Sequence, residues 1–362
     1  MKLSSTAARR TFLKASFFGG AAALAGGSCL AAAPAAPAPD GPQPAPRAPS
    51  RVALTTGQDR ADNIFRGLRS FADQIAREIG DRQVVLKPNN VSVDIQLAST
   101  HAACLEGILE FLQSIGKLKN VVIAESAATG PTREGFDNFG YPRVAAKYGV
   151  RLIDIDQQPF CTVHVFSQED FRPHAVRMSP LLLNPDHYVI SAAMPKTHDL
   201  AVATMSLKNI IFGAPLKDLG FRFGNRQVPR TKSDKPICHG GGVRGINYNL
   251  FALAQQLHPN LAVIDGYTGM EGNGPVQGTP VEHRIAIVSP DWLAADRVAV
   301  ELMGLDFAKV GYLNYCAGAN MGQADLQQIE IIGEPLARHI RTYRLHDNVE
   351  KQLIWREPVK VS

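Results

Sequence analysis

The chain predicts an α/β fold with a mostly parallel sheet flanked by helices, on three observations. Short apolar runs such as Val84–Leu86, Val121–Ala124 and Leu261–Ile264 alternate with segments whose apolar residues recur every three or four positions. Several of these runs are rich in Val and Ile and end in polar or charged residues. Strands that alternate with helices need crossover connections, which make a parallel sheet. About 310 residues from Arg51 onward suffice for one large domain or two closely merged ones.

A first strand is read over Arg51–Thr56. An amphipathic helix follows over Asp59–Ile79, with Ile64, Leu68, Phe71, Ile75 and Ile79 on one face. The strand Val84–Leu86 ends in Lys87-Pro88-Asn89-Asn90. A second helix, Thr100–Ile115, stops at Gly116, a residue suited to the left-handed C-cap. Val121–Ala124 is a strand ending in Glu125-Ser126. A helix over Phe139–Tyr148 leads into the strand Val150–Ile155. Thr162–Phe166 pairs in an extra hairpin, while the rest of residues 157–186 gives no pattern. His187–Ala193 is the next strand, followed by a run from Leu200 to Phe212 in which Lys208 is the sole charge. Lys217–Gly245 is rich in Gly, Lys and Arg and reads as a long loop or lid. A helix over Asn249–Leu257, strands over Leu261–Ile264 and His283–Val288, a helix from Ser289-Pro290-Asp291 to Met303 and a strand over Gln328–Ile332 complete the domain.

The N-terminus carries an address. Arg9-Arg10 with Phe12, Leu13 and Lys14 matches the twin-arginine export pattern, and Phe17–Leu30 is apolar but short for a bilayer span. The expected organisation is a signal peptide over residues 1–33, a Pro/Ala-rich linker over 34–50, a domain over 51–333 and a polar tail over 334–362. Ala33-Pro34-Ala35 before Ala36 suits a signal peptidase. Cys29 is a candidate lipid anchor, but Gly26-Gly27-Ser28 lacks the usual leucine of such a site, so release is favoured. The expected partner is the twin-arginine export machinery and the location periplasmic or secreted, with no stable membrane span after signal removal.

Net charge is +5, of which Lys2, Arg9, Arg10 and Lys14 contribute four, leaving +1 for the remainder. That balance gives no electrostatic case for nucleic acid or a membrane surface. Cys29, Cys104, Cys161, Cys238 and Cys316 form no C-x-x-C pair, so no iron–sulfur cluster is expected. Standard phosphate-loop, dinucleotide, zincin and hydrolase motifs are absent.

The chemistry gathers at the strand ends. Lys87-Asn89-Asn90, Glu125-Ser126, Asp154-Asp156, Lys196-His198 and Asp265 each follow a strand. In a parallel sheet these ends share one edge, where open α/β folds bind ligands. A lysine within an apolar run must snorkel, lose its proton or meet an anion, which singles out Lys208. The structural alternative has Lys208 snorkelling from a helix and His198 capping a loop. On the functional reading Lys87, Lys196 and Lys208 hold a small carboxylate or phosphate, and His198 or His239 moves a proton. Asp265 and Glu271, in the glycine-rich DGYTGMEGNGP segment, are candidates to hold a divalent cation.

Lys87-Pro88-Asn89, Met194-Pro195-Lys196-Thr197-His198, Ser206-Leu207-Lys208-Asn209 with Gly213, and Asp265-Gly266 through Gly278 together resemble the domain-of-unknown-function 362 family. His239 and Asp296 fall at fitting positions, and the resemblance spans Val52–Gly333. It adds Asn209 to the ligand-binding candidates Lys87, Asn89, Asn90 and Glu125. The family has no assigned activity. Some relatives carry ferredoxin-type iron–sulfur modules, which this chain's cysteines do not match. Two functions stay open: an enzyme or enzyme-like protein on a small anion, or a non-catalytic metal or cofactor carrier exported folded.

Overall fold

A computed structural model describes residues 48–224 and 231–358. The expected export signal, Cys29 and nearly all of the linker lie outside the described residues, as does part of the Gly/Lys/Arg-rich segment.

The strands are β1 (Ser50–Thr56), β2 (Gln83–Lys87), β3 (Val121–Glu125), β4 (Arg151–Asp154), β5 (Cys161–Phe166) and β6 (Pro173–Met178), then β7 (His187–Ala193), β8 (Lys196–His198), β9 (Val202–Thr204), β10 (Leu261–Glu271), β11 (Thr279–Ser289) and β12 (Ile329–Gly333). The main sheet runs β12-β1-β11-β10-β7-β2-β3-β4, with β8 attached to β10 and β9 to β8. From β10 through β7, β2 and β3 to β4 every pairing is parallel, whereas β11 runs antiparallel to both its neighbours. The expected mostly parallel sheet is therefore present, and β5 and β6 form the expected hairpin beside it.

Alternation along the strands divides the core into two layers. Val85, Val122, Val189, Ala262 and Ile264 face the helices Ser206–Gly213, Val243–Ala254 and Trp292–Leu302. Val84, Leu86, Ile123, Ile190 and Val263 face Arg60–Arg69, Ala72–Ile79, Ala102–Ser114 and Tyr141–Tyr148. Cys104 is buried in this second layer, and the cysteines of the described residues are unpaired.

Several elements differ from the sequence reading. The helix expected over 59–79 is two helices, Arg60–Arg69 and Ala72–Ile79, because the chain turns at Ser70-Phe71 while its apolar period runs on. The apolar run from Leu200 is strand first and helix only from Ser206. The helix expected at Asn249 begins at Val243. β10 does not end at Ile264. It continues through the glycine-rich segment to Glu271, paired with β11, so the glycines down to Gly269 belong to a hairpin arm and not to a loop. A Cβ on Gly269 would lie 2.1 Å from Tyr343 Oη, so glycine there admits a side chain from the C-terminal segment. That segment belongs to the fold. Tyr343 and Gln352 are buried, and Arg341 N donates to Leu302 O at 2.9 Å, so the packed unit does not stop at residue 333.

Candidate anion-binding site

β2 and β3 lie side by side, with Leu86 opposite Ile123, so both deliver polar residues at one sheet edge. Lys87, fully buried, donates to Glu125 Oε1 at 2.6 Å and to Pro88 O at 2.7 Å. Glu125 also accepts from Asn90 N at 3.0 Å and Ser126 N at 2.7 Å. Burial lowers the Lys87 pKa and Glu125 opposes the shift. The pair fixes the junction between the two strand ends. Gly213 is part of this arrangement: a Cβ there would lie 2.2 Å from Lys87 Cε. Asp156 closes a second buried pair with Lys217, and also accepts from Ser126 Oγ at 2.7 Å and Thr132 Oγ1 at 2.9 Å.

The helix Ser206–Gly213 carries Lys208 to the same edge. Its own N-cap residue supplies no side-chain cap. Asp296, reaching in from the helix Trp292–Leu302, accepts from Ser206 N at 2.9 Å and Leu207 N at 3.1 Å. A carboxylate at a helix N-terminus satisfies exposed N–H groups and complements the dipole. Burial nevertheless pushes the Asp296 pKa up to about 6.

Lys208 Nζ lies 2.9 Å from His198 Nε2 and 4.9 Å from the centre of the Phe212 ring. Burial pulls its pKa down to about 7, with Asp199 pulling the other way. His198 Nδ1 is met by Asp199 Oδ1 at 3.0 Å and by Leu200 N at 3.0 Å. Burial and then Lys208 hold the imidazole down to about 3. The His239 ring stacks on His198 at 6.4 Å and meets Phe212 edge-on at 5.0 Å; burial and Lys208 bring it to about 4. Both histidines are therefore neutral at pH 7. Gln352, from the C-terminal segment, donates to His198 O at 2.9 Å and accepts from Val202 N at 2.6 Å, holding the turn that presents His198.

These groups surround a cavity of about 330 Å³. Of the candidates read from sequence, Lys87, Asn89, Asn90, Glu125, His198, Lys208 and His239 line it. Lys196 and Asn209 stand behind the wall. Lys196 Nζ donates to Asn89 Oδ1 at 2.5 Å and Ala98 O at 3.0 Å, while Asn209 Nδ2 donates to Lys87 O at 3.1 Å and Ser191 Oγ at 3.0 Å. Burial, then repulsion from Lys208, brings Lys196 to about 7.

The cation candidates Asp265 and Glu271 do not line this cavity. Asp265 faces the opposite layer and pairs with Arg60 at 3.1 Å; burial raises its pKa against the pull of Arg60. Glu271 accepts from Arg344 N at 2.9 Å. Alternation on β10 explains this, since Asp265 shares the face of Leu261 and Val263. Among the described residues no group of three or more His, Cys, Asp or Glu is arranged to hold a metal.

Sequence reading missed Lys235, Asp199 and Thr204, which also line the cavity. Lys235 donates to Phe212 O at 3.3 Å, Gly213 O at 3.4 Å and Pro215 O at 2.9 Å, so it caps the C-terminal end of the helix bearing Lys208. Burial brings it to about 7. Its signal was its place three residues before Cys238-His239. Neither Lys208 nor Lys235 has a carboxylate in ion-pair contact among the described residues. Asn90 Nδ2 and Thr204 Oγ1, on residues lining the cavity, are buried and lack hydrogen-bond partners there. Buried polar atoms are seldom left so.

Comparison with known proteins adds family, not chemistry. The family described as a domain of unknown function, DUF362, matches residues 84–301. A thylakoid-associated protein of Synechocystis sp. is 25% identical over 267 residues, covering 72% of this chain and 76% of its own length. A crystal structure of a Thermotoga maritima protein aligns with 14% identity and a TM-score of 0.39, covering 68% of this chain and 60% of its own. This chain thus spans about three-fifths of that solved protein.

Proposed function

This chain belongs to the DUF362 family, and from that premise we propose that it is an enzyme or enzyme-like protein that binds a small anion at the strand edge. One observation carries the reading. Lys208 and Lys235 line the cavity without a carboxylate partner, on a wall that also includes Asn90 and Thr204, each with a buried polar atom that lacks a partner. Lys87 is neutralised by Glu125, so it shapes the wall and adds little charge. A carboxylate or phosphate would restore the charge that burial removes from the two lysines. The neutral His198 and His239 stand ready to move a proton on the bound molecule. The twin-arginine motif over Arg9–Lys14 supports export of the folded protein to the periplasm or beyond.

The test is thermal melting in graded inorganic phosphate. A specific site stabilises by about 2.7 kcal/mol at one hundred times Kd. The double variant Lys208→Met/Lys235→Met should lose that response. A response equal in wild type and double variant would refute the reading.

A further inference from the structure

We infer that Lys208 is a nucleophilic amine, and that the anion taken here is a small oxo acid whose ketone or aldehyde carbon condenses with Lys208 Nζ to an imine. The inference rests on the anion-binding reading for the charged end of the ligand and adds the carbonyl.

The buried lysines differ in what surrounds their nitrogen. Lys87 and Lys217 meet carboxylates, and Lys235 meets three backbone carbonyls. Lys196 meets an amide oxygen and a carbonyl. Lys208 Nζ meets a single hydrogen-bonding group among the described residues, His198 Nε2 at 2.9 Å, with the Phe212 ring on another side. An ammonium has three hydrogens to place, whereas a neutral amine with one lone pair is served by one N–H donor. With His198 Nε2 accepting one N–H, the lone pair of the neutral amine is left free toward the cavity, and burial bringing Lys208 to about 7 agrees. The amine also opens on the cavity, and Lys235 on the same wall adds positive charge toward a carboxylate held there.

His198 completes the machinery. Its Nδ1 faces both Asp199 Oδ1 and Leu200 N–H, each at 3.0 Å, so either neutral tautomer is satisfied. With the proton on Nδ1 toward Asp199, Nε2 accepts from Lys208. With the proton on Nε2, Nδ1 accepts from Leu200 N and Lys208 Nζ accepts in turn. A ring that can take either form can carry protons from nitrogen to oxygen. The Lys208 lone pair forms the C–N bond as the carbonyl π pair moves to oxygen. His198 takes one proton from the resulting N–H₂ and delivers it to that oxygen, giving the carbinolamine. The remaining N–H proton follows the same route as the C–O bond breaks. Both amine protons leave as water and a neutral imine remains.

The full chain is incubated at pH 7 with pyruvate or glyoxylate and cyanoborohydride, digested, and read by peptide mass spectrometry. An ordinary lysine is neutral at pH 7 in roughly one molecule in 2,500, against about half for Lys208, so Lys208 should label about a thousandfold faster than surface lysines. His198→Gln should slow labelling at least tenfold. Lys208→Met should abolish it yet keep part of the phosphate stabilisation through Lys235. Absence of label on Lys208 with both probes overturns the imine. If phosphate still raises the melting temperature in that case, anion binding stands without it; if not, both fall.

Discussion

Replacing Lys208 by methionine keeps the length and apolar stem of the side chain and removes the charge. A lysine brought from 10.5 to about 7 carries a penalty on the order of 5 kcal/mol while protonated, at about 1.36 kcal/mol per tenfold. Methionine escapes that penalty but loses the contact with His198 Nε2, worth about 1.5–3 kcal/mol for a charged donor. The net gain below pH 7 is about 2–3.5 kcal/mol, or roughly 4–7 °C in Tm. The sign with pH follows from linkage. The folded-state value lies below the unfolded one, so the penalty is full below about pH 7 and is relieved as pH rises toward 10.5. Lys196 and Lys235, also brought to about 7, act in the same window, so wild type should gain stability from pH 7 to pH 10. Melting of wild type and Lys208→Met at pH 6 and pH 10 reads both effects. The variant should melt higher at pH 6 and lose that advantage at pH 10. A fall at pH 6 would make the lysine structural, and a gain undiminished at pH 10 would assign it to packing.

Lys87→Met should behave oppositely, losing about 3–5 kcal/mol in chemical denaturation, because Glu125 is left buried without its cation. An unchanged midpoint would show that the pair does not hold the two strand ends. Asp296→Ala should cost about 2–3 kcal/mol by orphaning Ser206 N and Leu207 N, and should weaken phosphate binding by loosening the Lys208 helix; intact stability would remove Asp296 as its cap. Replacing Arg9 and Arg10 by lysine should leave precursor in the cytoplasm, seen by fractionation, and normal periplasmic yield would contradict export by this route.

What was legible in the sequence divides along physical lines. The strand ends of β2 and β3 were readable because each strand is a short apolar run with an abrupt polar stop, and a parallel sheet forces such stops together. Lys208 was readable because its neighbours are apolar. Asp265 looked equivalent, but the strand runs on past it, and side-chain alternation aims it at Arg60 on the other layer. Sequence shows a strand's polar end more readily than the face to which its last residue belongs. Lys235 and Gln352 were missed for another reason. Each acts through carbonyls or amides of distant turns, and no local periodicity records such contacts. The C-terminal segment reads as a polar tail because its anchors, Tyr343 and Gln352, are isolated and fill space left by other elements, such as Gly269.

The most direct measurement is a calorimetric titration of wild type with phosphate at pH 8.5 in buffers of different ionisation enthalpy. Lys208 and Lys235, both near 7, are mostly neutral at that pH. An anion between them should draw a proton back, so binding should be accompanied by uptake of roughly one proton per site. The Lys208→Met/Lys235→Met variant should show neither heat nor uptake. Absence of binding in wild type, or binding without proton uptake that persists in the double variant, would contradict an anion site built on these two lysines.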